Sequence, residues 1–234
     1  LARECATHDR RCASRSLRAL PPDVEKIVVD GGATDATREL AEREARVVAA
    51  PRGRATQLNA GAELARGDIL LFLHADARLP RQGMAEIRRA IGHGCVGGGF
   101  LGRFDSDHWL FRFGYPLRDL RTRLLHEIYG DQGIFVRRDV FRALGGYRPI
   151  PIMEDYEFVQ RLRRRGPLRV IPYPIRMSAG RYLRLGILRQ HLKNLWILSR
   201  YLAGVSPRRL SPDYERFWEA QAAAPSALNL KETT

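Results

Sequence analysis

Apolar and polar positions follow two alternating periods from residue 24 onwards, which is typical of strands and helices that succeed each other. Short apolar or β-branched runs predict strands at residues 24–30, 46–49, 68–73, 96–104 and 130–136. Helical spacing predicts helices at residues 34–45, 54–65, 81–91, 108–127, 153–165 and 183–202. The pattern therefore predicts an α/β fold: an open, mostly parallel sheet with helices on both faces and a C-terminal helix.

The chain divides into four predicted parts. Residues 1–20 are polar and irregular, and residues 21–180 carry the alternating elements. Residues 181–210 form a basic amphipathic helix, and residues 211–234 form a loose tail. No run of residues is long and apolar enough to span a membrane, and no export signal is visible at the N-terminus. The three unpatterned cysteines favour a reducing, cytoplasmic setting over a secreted disulfide framework.

The net charge of the chain limits which classes of binding partner are expected. The 234 residues include 40 Lys or Arg and 26 Asp or Glu, which gives a net charge of +14. Residues 151–210 contain 13 basic and three acidic residues, so most of the excess lies there. The hydrophobic content of 44% excludes a disordered or low-complexity chain. Such a basic chain suits an anionic partner: a phosphate-bearing substrate, a membrane surface or a nucleic acid.

Carboxylates lie where catalytic chemistry is expected. Asp30 ends one predicted strand and Asp76 follows another, and ligands of open α/β sheets bind at the carboxyl ends of strands. Beside a phosphate, such an aspartate suits Mg²⁺ or Mn²⁺, although a lone aspartate there also serves simply as a cap or turn former. Glu154 and Asp155 begin a predicted helix, where the helix dipole favours acidic residues. One of them could also accept a proton from a substrate hydroxyl.

Four segments, in order, resemble family 2 glycosyltransferases. They are VVDGGATDAT at residues 28–37, RATQLNAG at 54–61, GDILLFLHAD at 67–76, and GDQ at 130–132 together with MED at 153–155. The first is similar to the family's V-D-x-x-S/T-D-x-T segment and the third to its metal-binding D-x-D. The resemblance covers about residues 24–210 and looks nearest to the subgroup linked with arsenosugar biosynthesis.

The resemblance implies a GT-A fold and an inverting transfer of a sugar from a nucleotide-diphosphate donor to an acceptor hydroxyl. Asp76 would hold a divalent cation, Mg²⁺ or Mn²⁺, that neutralises the leaving diphosphate. Asp155 would deprotonate the acceptor hydroxyl, with Glu154 supporting it. The residues implied on the side of the nucleotide sugar are Asp30, Arg54, Gln57, Asn59 and His74.

Three features depart from the family pattern. His74 replaces the first Asp of D-x-D, which changes a contact to the ribose. No Q-x-x-R-W follows Glu154 and Asp155, which argues against a processive polysaccharide synthase. Residues 1–20 contain no apolar strand of the kind that opens the family, so the first strand is expected to be missing or replaced. The loss of that strand would open the pocket for the base of the nucleotide and impair the transferase activity.

Two other functions fit parts of the sequence. A sugar-phosphate nucleotidyltransferase uses a similar sheet, but the glycine-rich basic loop that it usually carries is not visible. A non-catalytic binder of nucleic acid or anionic surfaces would explain the charge and leave the ordered carboxylates unexplained. Nucleic acid is therefore not expected as a partner.

The last predicted helix has two interpretations. Residues 183–205 combine leucines at helical spacing with interleaved basic residues. They either pack on the domain or lie on the inner face of an anionic membrane. In the second case the acceptor would be lipid-linked.

Overall fold

A computed structural model describes residues 16–32 and 41–212 of the chain. These residues belong to two compact units, divided between Gly180 and Arg181. The expectations for residues 1–15, 33–40 and 213–234 lie outside the described residues. They concern most of the irregular N-terminal segment with its missing strand, most of the first predicted helix and most of the tail.

The first unit carries the strands and the helices between them. Its described strands are β1 (Ile27–Asp30), β2 (Arg46–Ala49), β3 (Ile69–Phe72), β4 (Gly97–Phe104), β5 (Ile134–Arg137) and β6 (Leu168–Met177). Its described helices are α1 (Arg54–Leu64), α2 (Gly83–Gly92), α3 (Trp109–Leu125), α4 (Arg138–Ala143) and α5 (Glu154–Arg163). A short helix, α6 (Gly180–Leu185), begins at the division, and α7 (Ile187–Leu202) lies in the second unit.

The strands pair into two sheets. β1 and β2 form a parallel pair, and a four-stranded sheet has the order β3-β5-β4-β6. β6 is parallel to β4, whereas β5 runs antiparallel to both β3 and β4. The predicted α/β class is confirmed, with strand β5 inserted in the opposite direction.

Three elements differ from the sequence prediction. Residues 130–136 contain a 3₁₀ turn (Gly130–Gln132) before β5, because Gly133 adopts a left-handed φ of 66°. The single helix predicted at 183–202 is interrupted at Gly186, whose φ is 85°. Strand β6 is not among the predicted strands, and its Pro172 and Pro174 are residues that signal against a strand. Prolines are tolerated in β6 because it is an edge strand of the sheet.

An aromatic cluster forms the core on one side of the four-stranded sheet. The ring of Tyr147 lies 5.0 Å from that of Phe72 on β3 and 4.4 Å from that of Phe158 on α5. Phe141 on α4 packs 5.4 Å from Phe158. Leu162, one helical turn after Phe158, is also fully buried. These contacts hold α5 against the sheet and so fix where its first residues, Glu154 and Asp155, are presented.

No described helix combines the length and the apolar content needed to cross a lipid bilayer.

The start of β4 yields a stability prediction. A methyl group on Gly98 would overlap the backbone carbonyl of Arg169 on β6 and would lie 2.8 Å from the ring of Phe135. We expect Gly98→Ala to lower the free energy of unfolding by about 2–3 kcal/mol, measured by urea denaturation, because neither neighbour can move aside freely. Gly92→Ala is the control, since nothing lies within 4 Å of a methyl group there. Equal stabilities of the two variants would contradict this close packing.

Candidate active site

Three of the predicted site residues, Arg54, His74 and Asp155, line one pocket in the first unit. Its polar lining comes from Arg54 at the start of α1, His74 just after β3, Asp155 at the start of α5, Tyr147 and the backbone of Gly130. Its apolar lining comes from Leu58, Phe72 and Leu73. The pocket holds about 360 Å³ of empty space, including its open mouth. Residues that are far apart in the sequence therefore converge at the end of β3.

Arg54 connects the acidic and the imidazole groups of the pocket. Its Nε lies 3.0 Å from Oε1 of Glu154, whose side chain is completely buried. Its Nη2 lies 2.9 Å from Nε2 of His74 and 3.8 Å from Oδ2 of Asp155. A buried carboxylate is very costly without a cationic partner, so the guanidinium is required where it is.

Two backbone groups orient the carboxylate of Asp155. The N–H of Gly130 donates to Oδ2 at 2.7 Å, and the N–H of Tyr156 donates to Oδ1 at 2.7 Å. Met153, immediately before α5, adopts a left-handed φ of 64°. That conformation costs a side-chain-bearing residue roughly 1–2 kcal/mol. The surrounding contacts therefore hold the start of α5 in a strained but defined direction.

Tyr147 is a pocket residue that the sequence analysis missed. Its hydroxyl is buried and has no hydrogen-bond partner among the described residues. Burial, reinforced by the nearby carboxylates of Asp155 and Glu154, raises the pKa of its phenol well above the ordinary value. The phenol thus stays protonated and available as a hydrogen-bond donor. An aromatic residue after Gly145 and Gly146 has the sequence signature of an ordinary core residue, so the hydroxyl's isolation is visible only in three dimensions.

Asn59 contacts Tyr147 through both ends of its amide. Its Oδ1 accepts from the N–H of Tyr147 at 2.9 Å, and its Nδ2 donates to the carbonyl of Tyr147 at 2.8 Å. Asn59 therefore holds the backbone that carries the buried phenol. Its predicted contact with a nucleotide stays a prediction.

Asp30 and Gln57 are both buried near the start of α1, outside the lining of the pocket. A methyl group on Gly31, the residue after Asp30, would lie 2.5 Å from Nε2 of Gln57. The amide of Gln57 therefore packs against the turn that follows β1. The predicted contacts of these two residues with a nucleoside stay predictions.

Asp76 and His74 form the candidate cation site. Nδ1 of His74 lies 3.6 Å from Oδ1 of Asp76, whose side chain is 45% exposed. Within residues 16–32 and 41–212, no cluster of three or more His, Cys, Asp or Glu side chains is placed to hold a metal ion. A single exposed carboxylate still suits Mg²⁺ or Mn²⁺ that takes its remaining ligands from a diphosphate and water. These residues fit the predicted cation in that way.

Comparison with known proteins places these features in context. Residues 10–145 match the sequence profile described as glycosyl transferase family 2. No curated protein matches the chain significantly. The fold is similar to several solved structures that are 14–19% identical to this chain, and at such identities the likeness concerns the fold alone.

One similar structure is the mannosyltransferase PcManGT from Pyrobaculum calidifontis in complex with GDP-Man and Mn²⁺ (TM-score 0.58, 19% identity, 88% of this chain and 64% of that one). Another is S. aureus TarS in complex with UDP-GlcNAc (TM-score 0.56, 14% identity, 70% and 52%). A third is the glucosyl-3-phosphoglycerate synthase from Mycobacterium tuberculosis with Mn²⁺, UDP-Glc and phosphoglyceric acid (TM-score 0.52, 19% identity, 71% and 66%). The chain thus spans about half to two thirds of the length of these structures.

The buried ion pair yields a second stability prediction. Arg54→Met leaves Glu154 buried without its guanidinium, so we expect the free energy of unfolding to fall by about 3–5 kcal/mol. The double variant Arg54→Met/Glu154→Leu is expected to recover most of that loss, because the charge is removed with its partner. Arg88→Met is the matched control: Arg88 pairs with Asp23 at the surface, at 2.6 Å, and its loss should change little. Urea denaturation measures the free energy of unfolding of all three variants. An Arg54→Met variant as stable as the wild type would contradict the buried ion pair between Arg54 and Glu154.

The buried phenol yields a prediction about pH. Above the ordinary tyrosine pKa of about 10, Tyr147 ionises in the unfolded chain but stays neutral in the folded one. Unfolding then releases a proton, so stability falls as pH rises. We expect Tyr147→Phe to make this fall less steep and to leave stability at neutral pH unchanged or higher. The free energy of unfolding as a function of pH measures it, and an unchanged slope would show that the phenol titrates alike in both states.

Proposed function

Because this chain belongs to glycosyltransferase family 2, we propose that it transfers a sugar from a nucleotide-diphosphate sugar to an acceptor hydroxyl, with inversion at the anomeric carbon. The observation that carries the proposal is the convergence of Arg54, His74, Tyr147 and Asp155 on one pocket. The family match favours this reaction over the nucleotidyltransferase alternative, which the sequence alone left open.

Asp155 is the proposed base. Its carboxylate borders the pocket, and two backbone N–H groups fix its orientation. One carboxylate oxygen takes the proton of the acceptor hydroxyl as the acceptor oxygen forms its bond to the anomeric carbon. The bond from that carbon to the diphosphate oxygen breaks at the same time, and the nucleoside diphosphate leaves with the electron pair. Attack from the opposite side to the leaving group accounts for inversion.

Arg54 and Tyr147 are proposed to bind the substrates rather than exchange protons. Arg54 holds Glu154 with one edge of its guanidinium and faces the pocket with the other. The phenol of Tyr147 is a protonated donor without a partner among the described residues. A substrate oxygen placed in the pocket would satisfy it, and a buried unsatisfied hydroxyl costs roughly 1–3 kcal/mol until then.

A divalent cation is proposed at Asp76. The structures of PcManGT and of the mycobacterial synthase both contain Mn²⁺. Bound by Asp76 with His74 beside it, such a cation would neutralise the negative charge that develops on the leaving diphosphate.

The finer assignments stay predictions. The similar structures contain GDP-Man, UDP-GlcNAc and UDP-Glc, so they do not select one nucleotide or sugar. The subgroup linked with arsenosugar biosynthesis, a cytoplasmic location, a lipid-linked acceptor and a membrane contact through residues 183–205 are likewise proposed on the sequence. The exposed leucines of α7 are compatible with that contact.

The catalytic prediction concerns Asp155. A thermal-shift screen of UDP-, GDP- and dTDP-linked sugars with Mn²⁺ first identifies the donor, because a ligand of the folded state raises its apparent stability. With that donor, we expect Asp155→Asn to lower kcat for transfer or donor hydrolysis by about 100-fold or more while the donor-induced thermal shift persists. Asp68→Asn is the control, since Asp68 is almost fully exposed and pairs with Arg138 outside the pocket. Robust activity of Asp155→Asn would contradict the mechanism.

A further inference from the structure

Helix α3 presents an exposed apolar face. Five large apolar side chains, each between 53% and 78% exposed, recur at intervals of three or four residues, so they line one side of the helix. They are Trp109, Phe113, Leu117, Leu120 and Leu124. A soluble protein rarely exposes so continuous an apolar stripe unless it binds something. We call this stripe the α3 face.

The opposite side of α3 is anchored to β4, so the direction of the α3 face is set by packing. Phe111 and Thr122 are buried. The N–H of Phe104 donates to the hydroxyl of Tyr115 at 3.0 Å. On the same side, Arg103 pairs with Asp119, its Nη1 lying 2.8 Å from Oδ1. Rotating the helix to hide its leucines would break all of these contacts.

Basic residues border the α3 face. Arg112 and Arg123 are exposed and, at 100° per residue, fall along one edge of the stripe. Neither makes an ion pair with any residue that the structure describes. On the other edge, Arg121 pairs with Glu127, its Nε lying 3.0 Å from Oε2. An apolar stripe with aromatic residues and flanking arginines is typical of a helix that lies in the surface of an anionic membrane.

We propose that the α3 face docks onto an anionic lipid bilayer, with the helix lying parallel to the membrane surface. The 17 residues of α3 extend for about 25 Å along that surface. Trp109 and Phe113, which contact each other edge to face, occupy the interfacial region that aromatic side chains favour. The arginines face the negatively charged headgroups, and the net charge of +14 draws the protein to them.

A second copy of the chain fits the α3 face less well. A symmetric dimer would bring the same patch of both copies together. Arg112 and Arg123 of the two copies would then border one interface, and like charges so placed oppose association. An anionic bilayer covers the same leucines and also attracts the arginines.

Docking through α3 would place the bilayer near the active site. Arg121 on α3 lies over the ring of Tyr129, at 5.8 Å, and Tyr129 stacks on Tyr156, the neighbour of Asp155. The next residue, Gly130, holds Asp155 through its N–H. The acceptor would accordingly be a hydroxyl of a lipid or of a lipid-linked sugar; this part rests on the proposed function, whereas the docking does not.

Vesicle co-sedimentation without donor tests the docking. The vesicles contain either phosphatidylcholine alone or about one third phosphatidylglycerol, which gives an anionic surface. We expect the wild type to bind the anionic vesicles and Phe113→Ser/Leu117→Ser to bind them about tenfold or more weakly, since two exposed apolar side chains are lost. Arg112→Gln/Arg123→Gln should weaken binding to anionic vesicles and leave the weak binding to neutral ones unchanged.

Leu188→Ser/Leu192→Ser in α7 is the rival variant, because residues 183–205 are the other proposed membrane contact and these two leucines are of similar exposure. Binding that is lost in the α7 variant and retained in the α3 variant would overturn the proposal in favour of residues 183–205. A wild type that binds neither kind of vesicle would overturn the docking proposal, as would a stable dimer that Phe113→Ser dissociates.

Donor-induced thermal shifts of each variant, measured separately, report whether the pocket is intact. Intact docking with no donor binding would count against the proposed function alone.

Discussion

The buried carboxylate of Glu154 is the constraint on which the candidate active site depends. With no exposed surface, it requires a cationic partner, and Nε of Arg54 supplies one at 3.0 Å. Arg54 begins α1 and Glu154 begins α5, so this one pair brings two helix N-termini together. A second nitrogen of the same guanidinium, Nη2, lies 2.9 Å from Nε2 of His74 and 3.8 Å from Oδ2 of Asp155. The need to pair a buried carboxylate with a cation therefore positions the groups that line the open pocket.

Apolar packing gives that arrangement its rigidity. The rings of Phe72, Tyr147 and Phe158 pack below the pocket and hold α5 on the sheet. The left-handed backbone at Met153 is tolerated because these contacts fix the chain on the C-terminal side of it. The same cluster includes Tyr147, which also lines the pocket, so one layer of side chains contributes both to the core and to the pocket wall. Asn59 completes the support by binding both backbone groups of that tyrosine.

Most of the fold could be predicted because the sequence signals for its helices and strands are local. β2 occupies the predicted residues, and α1 and β4 begin within one residue of them, since apolar periodicity and glycine or proline boundaries act over a few positions. β6 could not be predicted, because its prolines are acceptable only at a sheet edge, and edge position is a property of the whole sheet. The interruption of the predicted helix at Gly186 also could not be predicted, since helical spacing continues across that residue.

The sequence by itself determined the α/β class, the family and a set of candidate site residues, because each depends on local periodicity or on motifs of fixed spacing. Only the tertiary structure decided which candidates meet. Arg54, His74 and Asp155 come from three separate segments, and their contacts exist only once α1, β3 and α5 converge. The isolation of the Tyr147 hydroxyl and the exposure of the α3 face also could not be predicted from the sequence. Whether a hydroxyl is left without a partner, or a leucine without a neighbour, depends on everything else that the fold brings near it.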